Sequence, residues 1–536
     1  MTADGGRPRN WKDLLLHGPA RASQWRTLSA ACLGLAMLMI DTFVVNVAFP
    51  AISRDLRAGL STAEWTVTGY ILAMGVLPVA TGRLGDIFGR RRVYLLGLAL
   101  FTAASAACGA AGSIYALIAF RVVQGVGAAI MQPATLAITT QAFPPHQRGL
   151  AIGTWGGVSG LGLIIGPVLG GLLVQGDGWR WVFLVNLPVG LLGLLLALLF
   201  IPESRDESVP RSVDWAGLGL SAAGLLLILL GFTRANQDGW TSPVILGCFA
   251  GGALLLAAFV AAERRARYPL VDLSLFRSGT FVMACLSSFL FAAAVFGSQP
   301  YTSLFMQNFW GFTPLEGGLA FLPSTALVAA LMPFSGVLGQ RLGSRLRLLV
   351  MAGSVSVGVS FLYLLRLEAD SGYTVGLLPA FILRGLGVGL VMAATSLAVM
   401  SAVPLAKAGL ASGTYTMARQ IGTAVGVAVL GAVFLHHVET DLPGRLAGLP
   451  PEQAAPAVAA AAHFAPAGEG EARAAAQDTI LEGFILLAVA GMAISAVATA
   501  AAGFIRHRAP APQPVTPQAL AQQDGAMPDA PTAGGG

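Results

Sequence analysis

Charge is what this sequence has least of. Asp, Glu, Lys and Arg make up 11% of the 536 residues, and mean hydropathy is +0.72. A soluble domain carries about 25% charge, so a water-soluble globule is excluded and an all-α integral membrane protein is expected. The net charge of +6 does not point to nucleic acid, because the arginines fall in short loops between apolar segments rather than on one patch. Cysteine is scarce too. Cys32, Cys108, Cys248 and Cys285 all lie in apolar stretches without paired spacing, which excludes a disulfide framework and a cysteine metal site. The six histidines show no ligand pattern, so no metal and no cofactor is expected. Neither a phosphate-binding glycine loop nor a nucleophile–base pair is present, so nothing indicates an enzyme or a sensor. Residues 1–26 are polar and basic and the first apolar run has full span length, unlike a cleavable leader.

What is present is a series of long apolar runs. Fourteen of them, between residues 28 and 505, reach the roughly 20 residues that a bilayer-spanning helix needs. With the N-terminus inside, 22 of the 32 Lys and Arg fall in inner segments and seven fall outside. That bias predicts a multi-pass protein of the cell (inner) membrane with both termini cytoplasmic.

Few polar groups interrupt the runs, and each asks for a reason. Asp41 sits in the middle of the first. A carboxylate there costs several kcal/mol unless paired, hydrated or protonated, so it is either functional or held by a helix–helix hydrogen bond. Asn46 lies on another face of the same segment. Glu64 opens the second segment near the outer interface, and Tyr70 follows it. In the fourth, Arg121, Gln124, Gly125 and Gln132 share one helical face. That stripe cannot face lipid, so it lines a wet cavity, meets Asp41, or rests on backbone carbonyls. Gly162, Gly166, Pro167, Gly170 and Gly171 form a small-residue stripe in the fifth, suited to close packing and, through the Gly–Pro pair, to bending. The ninth carries Phe296, Gln299, Tyr301 and Gln307, a mixture of rings and amides suited to an amphipathic ligand. Arg419 and Gln420 lie in the thirteenth.

Residues 82–93 join the second and third segments as a basic turn, with Arg83, Arg90, Arg91 and Arg92 around a single acid, Asp86. Gly82 and Gly89 bracket the acid and permit a tight turn. The turn is a topology signal at least; the glycines and the lone acid suggest a gate.

Three stretches return downstream. Gly82-x-Leu84-x4-Gly89-x-Arg91 recurs as Gly336-x-Leu338-x4-Gly343-x-Arg345, with Gln340 in place of Asp86. Gly149-Leu-Ala-Ile-Gly153-Thr recurs as Gly409-Leu-Ala-Ser-Gly413-Thr, and Gly125-x-Gly127 as Gly385-x-Gly387. Two homologous six-helix halves follow from this. The expected plan is a cytoplasmic segment 1–27, an N-terminal half 28–201, a linker 202–279 with two inserted helices, and a C-terminal half 280–505. The second half contains an external loop 436–478 and is followed by a disordered cytoplasmic tail 506–536.

These motifs together resemble the fourteen-span drug:proton antiporter branch of the major facilitator superfamily, over about residues 25–505. The turn 82–93 is similar to the superfamily's signature loop. Arg121-x2-Gln-Gly-x-Gly is similar to its proton-coupling motif, and Gly162-x3-Gly-Pro-x2-Gly-Gly to the antiporter motif. Asp41-Thr-x3-Asn-x-Ala-x-Pro and Trp179-Arg-Trp-x-Phe-x2-Asn-x-Pro-x-Gly resemble branch signatures. The resemblance implies an exporter of amphipathic or cationic drugs, driven by the proton gradient through alternating access. Proton coupling would lie with Asp41, Arg121 and Glu64, and the inner gate with Asp86 and Arg90 in a charge contact between adjacent helices. The partners implied are a small amphipathic substrate, protons and membrane lipid, with loop 436–478 as a candidate contact for an envelope partner. Lipid, siderophore or self-made antibiotic are alternative cargoes.

Overall fold

The computed structural model describes residues 20–58, 60–175, 178–205, 214–266, 271, 273–448 and 450–506. The segment before residue 20, the stretch 206–213 and the tail beyond 506 lie outside them. Among the described residues every regular element is helical. Apolar solvent offers a peptide group no partner, and a helix satisfies its own backbone. The N-terminal half comprises α1 (Ala20–Asp55), α2 (Leu60–Val76), α3 (Pro78–Phe88), α4 (Arg90–Gly109), α5 (Ile114–Ala142), α6 (Arg148–Gln175), α7 (Trp181–Leu184) and α8 (Asn186–Phe200). The inserted pair is α9 (Trp215–Asp238) and α10 (Pro243–Glu263). The C-terminal half comprises α11 (Gly279–Leu304), α12 (Pro314–Ala320), α13 (Leu322–Leu342), α14 (Leu346–Leu364), α15 (Tyr373–Gly376), α16 (Leu378–Ser401), α17 (Ala408–Arg445), α18 (Pro451–Ala461) and α19 (Glu471–Gly503).

Each of the fourteen apolar segments is helical. By length and composition, ten helical stretches among the described residues could cross a membrane. The count is eleven if α2 and α3, bent by 50° at Pro78, form one span. One of the ten, Leu315–Leu364, joins two segments read separately from the sequence. The chain is thus an all-α, multi-pass membrane protein. Side chains cap several helices: Ser113 accepts from Ala116, Asp214 from Gly217, and Thr313 and Glu316 form a reciprocal capping box. All four cysteines are buried and free.

The glycines that repeat in the sequence are where the halves meet. A Cβ on Gly82 of α3 would stand 2.9 Å from the carbonyl carbon of Gly409 on α17, and one on Gly413 would stand 3.0 Å from Val79 Cα. The second crossing mirrors the first. A Cβ on Gly336 of α13 would lie 2.8 Å from the carbonyl carbon of Gly149 on α6, and one on Gly153 would lie 2.6 Å from Pro333 Cα. Each half therefore gives one glycine of each repeat to the other, as a pseudo-twofold arrangement requires.

Two segments depart from the expected plan. Residues 436–478 are not an open loop: α17 runs on to Arg445, α18 follows, and α19 starts at Glu471. Alanine, the best helix former, dominates this stretch. Phe464 anchors it, stacked 3.8 Å from Phe434 and edge-on to Phe484, while Asn308 donates to the His463 carbonyl. The inserted pair is also less detached than a linker. Leu225 and Leu229 of α9 pack with Leu72 and Val76 of α2 on one side, and with Met417, Ile421 and Ala424 of α17 on the other. Asn236 Nδ2 donates to the Ala428 carbonyl at 3.1 Å. Helix α9 thus touches both halves.

Close helix approach through glycine cannot absorb a branched side chain. Gly82→Val is expected to separate α3 from α17 by several Å, which spin labels on the inner ends of the two helices would report. An unchanged distance distribution would show that this crossing has slack.

Candidate functional site

The densest group of buried polar side chains lies within the N-terminal half. Asp41 of α1 is wholly buried. Its Oδ2 accepts from Arg121 Nη1 at 2.7 Å. Its Oδ1 accepts from Gln124 Nε2 and from Asn186 Nδ2, both at 2.9 Å. Arg121 also donates to Gln124 Oε1 at 2.8 Å and through Nε to the Thr66 carbonyl at 3.0 Å. Asn186 reaches Ser105 Oγ at 3.0 Å, and Ser105 in turn donates to the Phe183 carbonyl. The Tyr70 ring lies 4.0 Å under the guanidinium, a cation–π contact strengthened by desolvation. Five elements, α1, α2, α4, α5 and α8, thus converge on one carboxylate.

Local sequence explains how they come so close. Gly125 follows Gln124 on α5, and a Cβ there would stand 2.6 Å from the Tyr70 carbonyl oxygen. Its absence lets α2 settle on α5 and brings the Tyr70 ring to Arg121. Gly127 does the same for α4 at Phe101, where an added Cβ would lie 2.7 Å from the backbone nitrogen. Gly162 of α6 backs onto α1 beside the acid: its Cβ would stand 3.3 Å from Ile40 N. At the C-terminal end of α1, Asp55 accepts from Trp179 Nε1 at 2.9 Å and from Arg180 Nη1 at 2.7 Å. Those two hydrogen bonds hold the exposed Asp55 carboxyl below its usual range.

Of the residues proposed from sequence, Asp41, Arg121, Gln124 and Tyr70 meet here. Glu64 does not: it is exposed at the start of α2 and accepts from Gln237 of α9 at 3.3 Å. Its place near the N-terminal end of α2 points it outward rather than into the bundle. Gln132 is buried with its Oε1 unpaired. Gly162, Gly166 and Gly170 are buried on α6; the side-chain surroundings of Asn46, Pro167 and Gly171 lie outside the described residues. In α11, Phe296 and Gln299 are half-buried and Tyr301 donates to the Val427 carbonyl at 2.6 Å; just beyond its end, Gln307 donates to Ser303 at 2.9 Å. Sequence reasoning placed Asn186 in a turn signature only, although the Asn-x-Pro in that signature marked it. Ser105 and Thr66 carried no signal.

In the basic turn the charge contact expected between adjacent helices is present, between Asp86 of α3 and Arg90 of α4. Asp86 and Arg90 are four residues apart across the break at Gly89, whose φ is +111°, and they pair at 2.7 Å. The contact between halves is made to backbone. Asp86 accepts from the amides of Gly409 and Leu410 at 2.9 and 2.8 Å, at the N-terminus of α17. Free N–H groups and the helix dipole favour an anion there. Arg90 donates to the carbonyls of Leu405 and Ala406, each at 2.8 Å, and to Gln141 Oε1. The mirrored crossing uses a neutral group: Gln340 Oε1 accepts from the Gly149 amide at 2.8 Å, and its Nε2 donates to the Pro145 carbonyl.

One grouping was not foreseen. His437, Asp441 and Glu482 converge where the C-terminal part of α17 meets α19. Arg445 of α17 binds Asp441 at 2.8 Å and Glu482 at 2.5 Å, so one guanidinium offsets part of the charge of the two carboxylates.

Asp86→Asn removes the charge from the α17 N-terminus and strands Arg90 among carbonyls. A buried charge deprived of its partner costs about 3–5 kcal/mol. Transport should fall by tenfold or more while membrane insertion persists, measured as flux per correctly folded protein in liposomes. Full activity would reduce the turn to a topology signal.

Comparison with known proteins agrees with this geometry. The chain is 36% identical over 510 residues to the tetracenomycin C resistance and export protein of Streptomyces glaucescens, covering 92% of this chain and 94% of that one. It is 38% identical over 425 residues to the multidrug resistance protein Stp of Mycobacterium tuberculosis, covering 79% of this chain and 78% of that one. Among solved structures, a proton:xylose symporter bound to 6-bromo-6-deoxy-D-glucose superimposes with a TM-score of 0.54 at 15% identity, covering 89% of this chain and 95% of that one. A family model matches residues 31–427, and on these grounds the chain belongs to the Major Facilitator Superfamily.

Proposed function

We propose that the protein is a proton-coupled antiporter that exports amphipathic small molecules by alternating access, in the cell membrane with both termini cytoplasmic. The observation that carries this reading is the Asp41 carboxylate, buried in a span and held by Arg121, Gln124 and Asn186. Both of its oxygens accept, as an ionised carboxylate requires. Protonation would remove an acceptor and give the site a proton to donate, and the nearest side-chain acceptor, Gln124 Oε1, already serves Arg121. Arg121 would then rely on Gln124, the Thr66 carbonyl and the Tyr70 ring. A site with two such arrangements suits a group that loads and unloads a proton.

Helix α6 supplies a route from this site to the other half. Gly162 rests on α1 beside Asp41, while Gly160 lies against Val328 and Ala329 of α13. A shift of α1 on protonation would press on an element that also forms a crossing between halves. Alternating access would exchange the crossings at Gly82–Gly409 and Gly149–Gly336 for closure at the outer side. Similarity to an antibiotic exporter over 92% of the chain favours a second reading of the cargo as a self-made antibiotic over lipid or siderophore.

Asp41→Asn mimics the protonated acid and cannot titrate. It is expected to abolish accumulation of cargo against its gradient while downhill exchange survives, and Asp41→Glu should keep part of the activity. Efflux driven by a pH jump in proteoliposomes distinguishes these. Uphill export by Asp41→Asn at the wild-type level would move the coupling role elsewhere, with Glu64 the next acid to test. For topology, cysteines at residue 455 and in the C-terminal tail should react with impermeant reagents from opposite sides of the membrane. Labelling from one side would refute the span count.

A further inference from the structure

Three arginines, Arg121, Arg384 and Arg419, fall within the apolar runs read from the sequence, and they are treated differently. Arg121 pairs with Asp41. Arg384 of α16, whose Nε is also buried without a partner, is 4% exposed and has the face of Phe361 at 4.7 Å. Arg419 of α17 has neither. Among the described residues its guanidinium meets no hydrogen-bond acceptor, carboxylate or ring, and its Nε is buried without a partner. The C-terminal half offers it no acid nearby. Between residues 280 and 435 the acids are Glu316, Glu368 and Asp370. Glu316 caps α12, and Glu368 and Asp370 lie in the turn after α14. The Tyr415 hydroxyl, one turn before Arg419, is engaged by Thr395 and Ser396.

The position of Arg419 is central. It lies ten residues after Gly409, or about 15 Å along the helix axis, near the middle of a hydrocarbon layer about 30 Å thick. Ser412, two turns earlier on the same face, donates to the Pro133 carbonyl of α5 at 2.9 Å. Gln420 sits beside Gly75 of α2. Arg419 therefore looks across α17 at the N-terminal half. Gln132, the neighbour of Pro133 on the facing helix, is the buried amide whose Oε1 is unpaired.

An uncompensated guanidinium at mid-membrane is costly and is a functional site by default. We infer that Arg419 is the anchor for an acidic group of the exported molecule, and that the cargo is an organic anion, an amphipathic compound bearing a carboxylate or phenolate. This rests on the export reading and replaces the cationic cargo expected from sequence. The planar guanidinium matches a carboxylate bidentately, and it would repel a cation. The ligand would supply the charge that the C-terminal half lacks, as Asp41 does for Arg121.

The test uses the full-length protein in proteoliposomes with two dyes of related scaffold, anionic fluorescein and cationic rhodamine 123. Binding is read by fluorescence polarisation and flux under an imposed pH gradient. Wild type should bind and export fluorescein in preference. A hydrogen bond to a charged group contributes about 1.5–3 kcal/mol, so Arg419→Gln should weaken fluorescein binding and flux by about tenfold or more. Arg419→Lys should recover part of it, and rhodamine 123 should not weaken in either variant. Because the arginine has no partner to lose, Arg419→Gln should melt no lower than wild type. Fluorescein handled normally by Arg419→Gln, or loss of both dyes together with stability, would overturn the inference. So would a wild type that accepts only rhodamine 123. Fluorescein bound through Arg419 but not moved by the pH gradient would uphold the anion site and overturn the antiport reading instead.

Discussion

A carboxylate and a guanidinium removed from water together hold the N-terminal half in register. Neither Asp41 nor Arg121 could be buried alone, since an unpaired ion in a low-dielectric interior costs several kcal/mol. Their mutual attraction at 2.7 Å offsets that only because the remaining lone pairs and protons are also met, by Gln124, Asn186, the Thr66 carbonyl and the Tyr70 ring. These partners lie on α2, α5 and α8, and Ser105 of α4 joins through Asn186, so satisfying one acid of α1 fixes the relative placement of five elements. Such a network is more sensitive to a proton than apolar packing would be, because one proton changes the donor count at its centre.

The contacts between halves follow a second rule. Where two helices cross closely, glycine gives backbone proximity without interdigitated side chains. The pairs Gly82–Gly409 and Gly149–Gly336 apply it twice, related by the internal repeat. The symmetry is broken in charge. Asp86 caps α17 with a carboxylate, while Gln340 caps α6 with an amide. The first crossing therefore carries the dipole attraction of an ion, and the second has an ordinary hydrogen bond at the same position.

Charge is also distributed unequally between the halves. The first balances its mid-membrane cation with its own acid; the second leaves Arg419 without one. Helix α9 adds a further asymmetry, since it packs against α2 and α17 together and must accommodate whatever relative motion those helices undergo. In the second half the aromatic cluster of Phe434, Phe464, Phe484 and Phe305 draws the segment 436–478 onto the bundle.

The amino-acid sequence by itself determined the class, the helical segments and the repeat. Low charge and long apolar runs leave a bilayer helix as the way to satisfy the backbone, and recurring glycines marked the duplicated halves. It also singled out Asp41 and Arg121, because a charge in an apolar run stands out against its surroundings, and Asp86 as the lone acid of a basic turn. What it could not carry was partnership. Asn186 and Ser105 are ordinary polar residues until folding brings them to Asp41 and its network across 145 and 81 positions of chain. The partner of Asp86 is a pair of backbone amides, which no side-chain pattern encodes. Sequence placed Glu64 near the end of its segment and Arg419 within the thirteenth. Tertiary structure put Glu64 at the surface beside Gln237 and left Arg419 half-buried, without a counter-charge among the described residues. Only the packing of one helix on another decides whether a charge is solvated, paired or left waiting for a ligand.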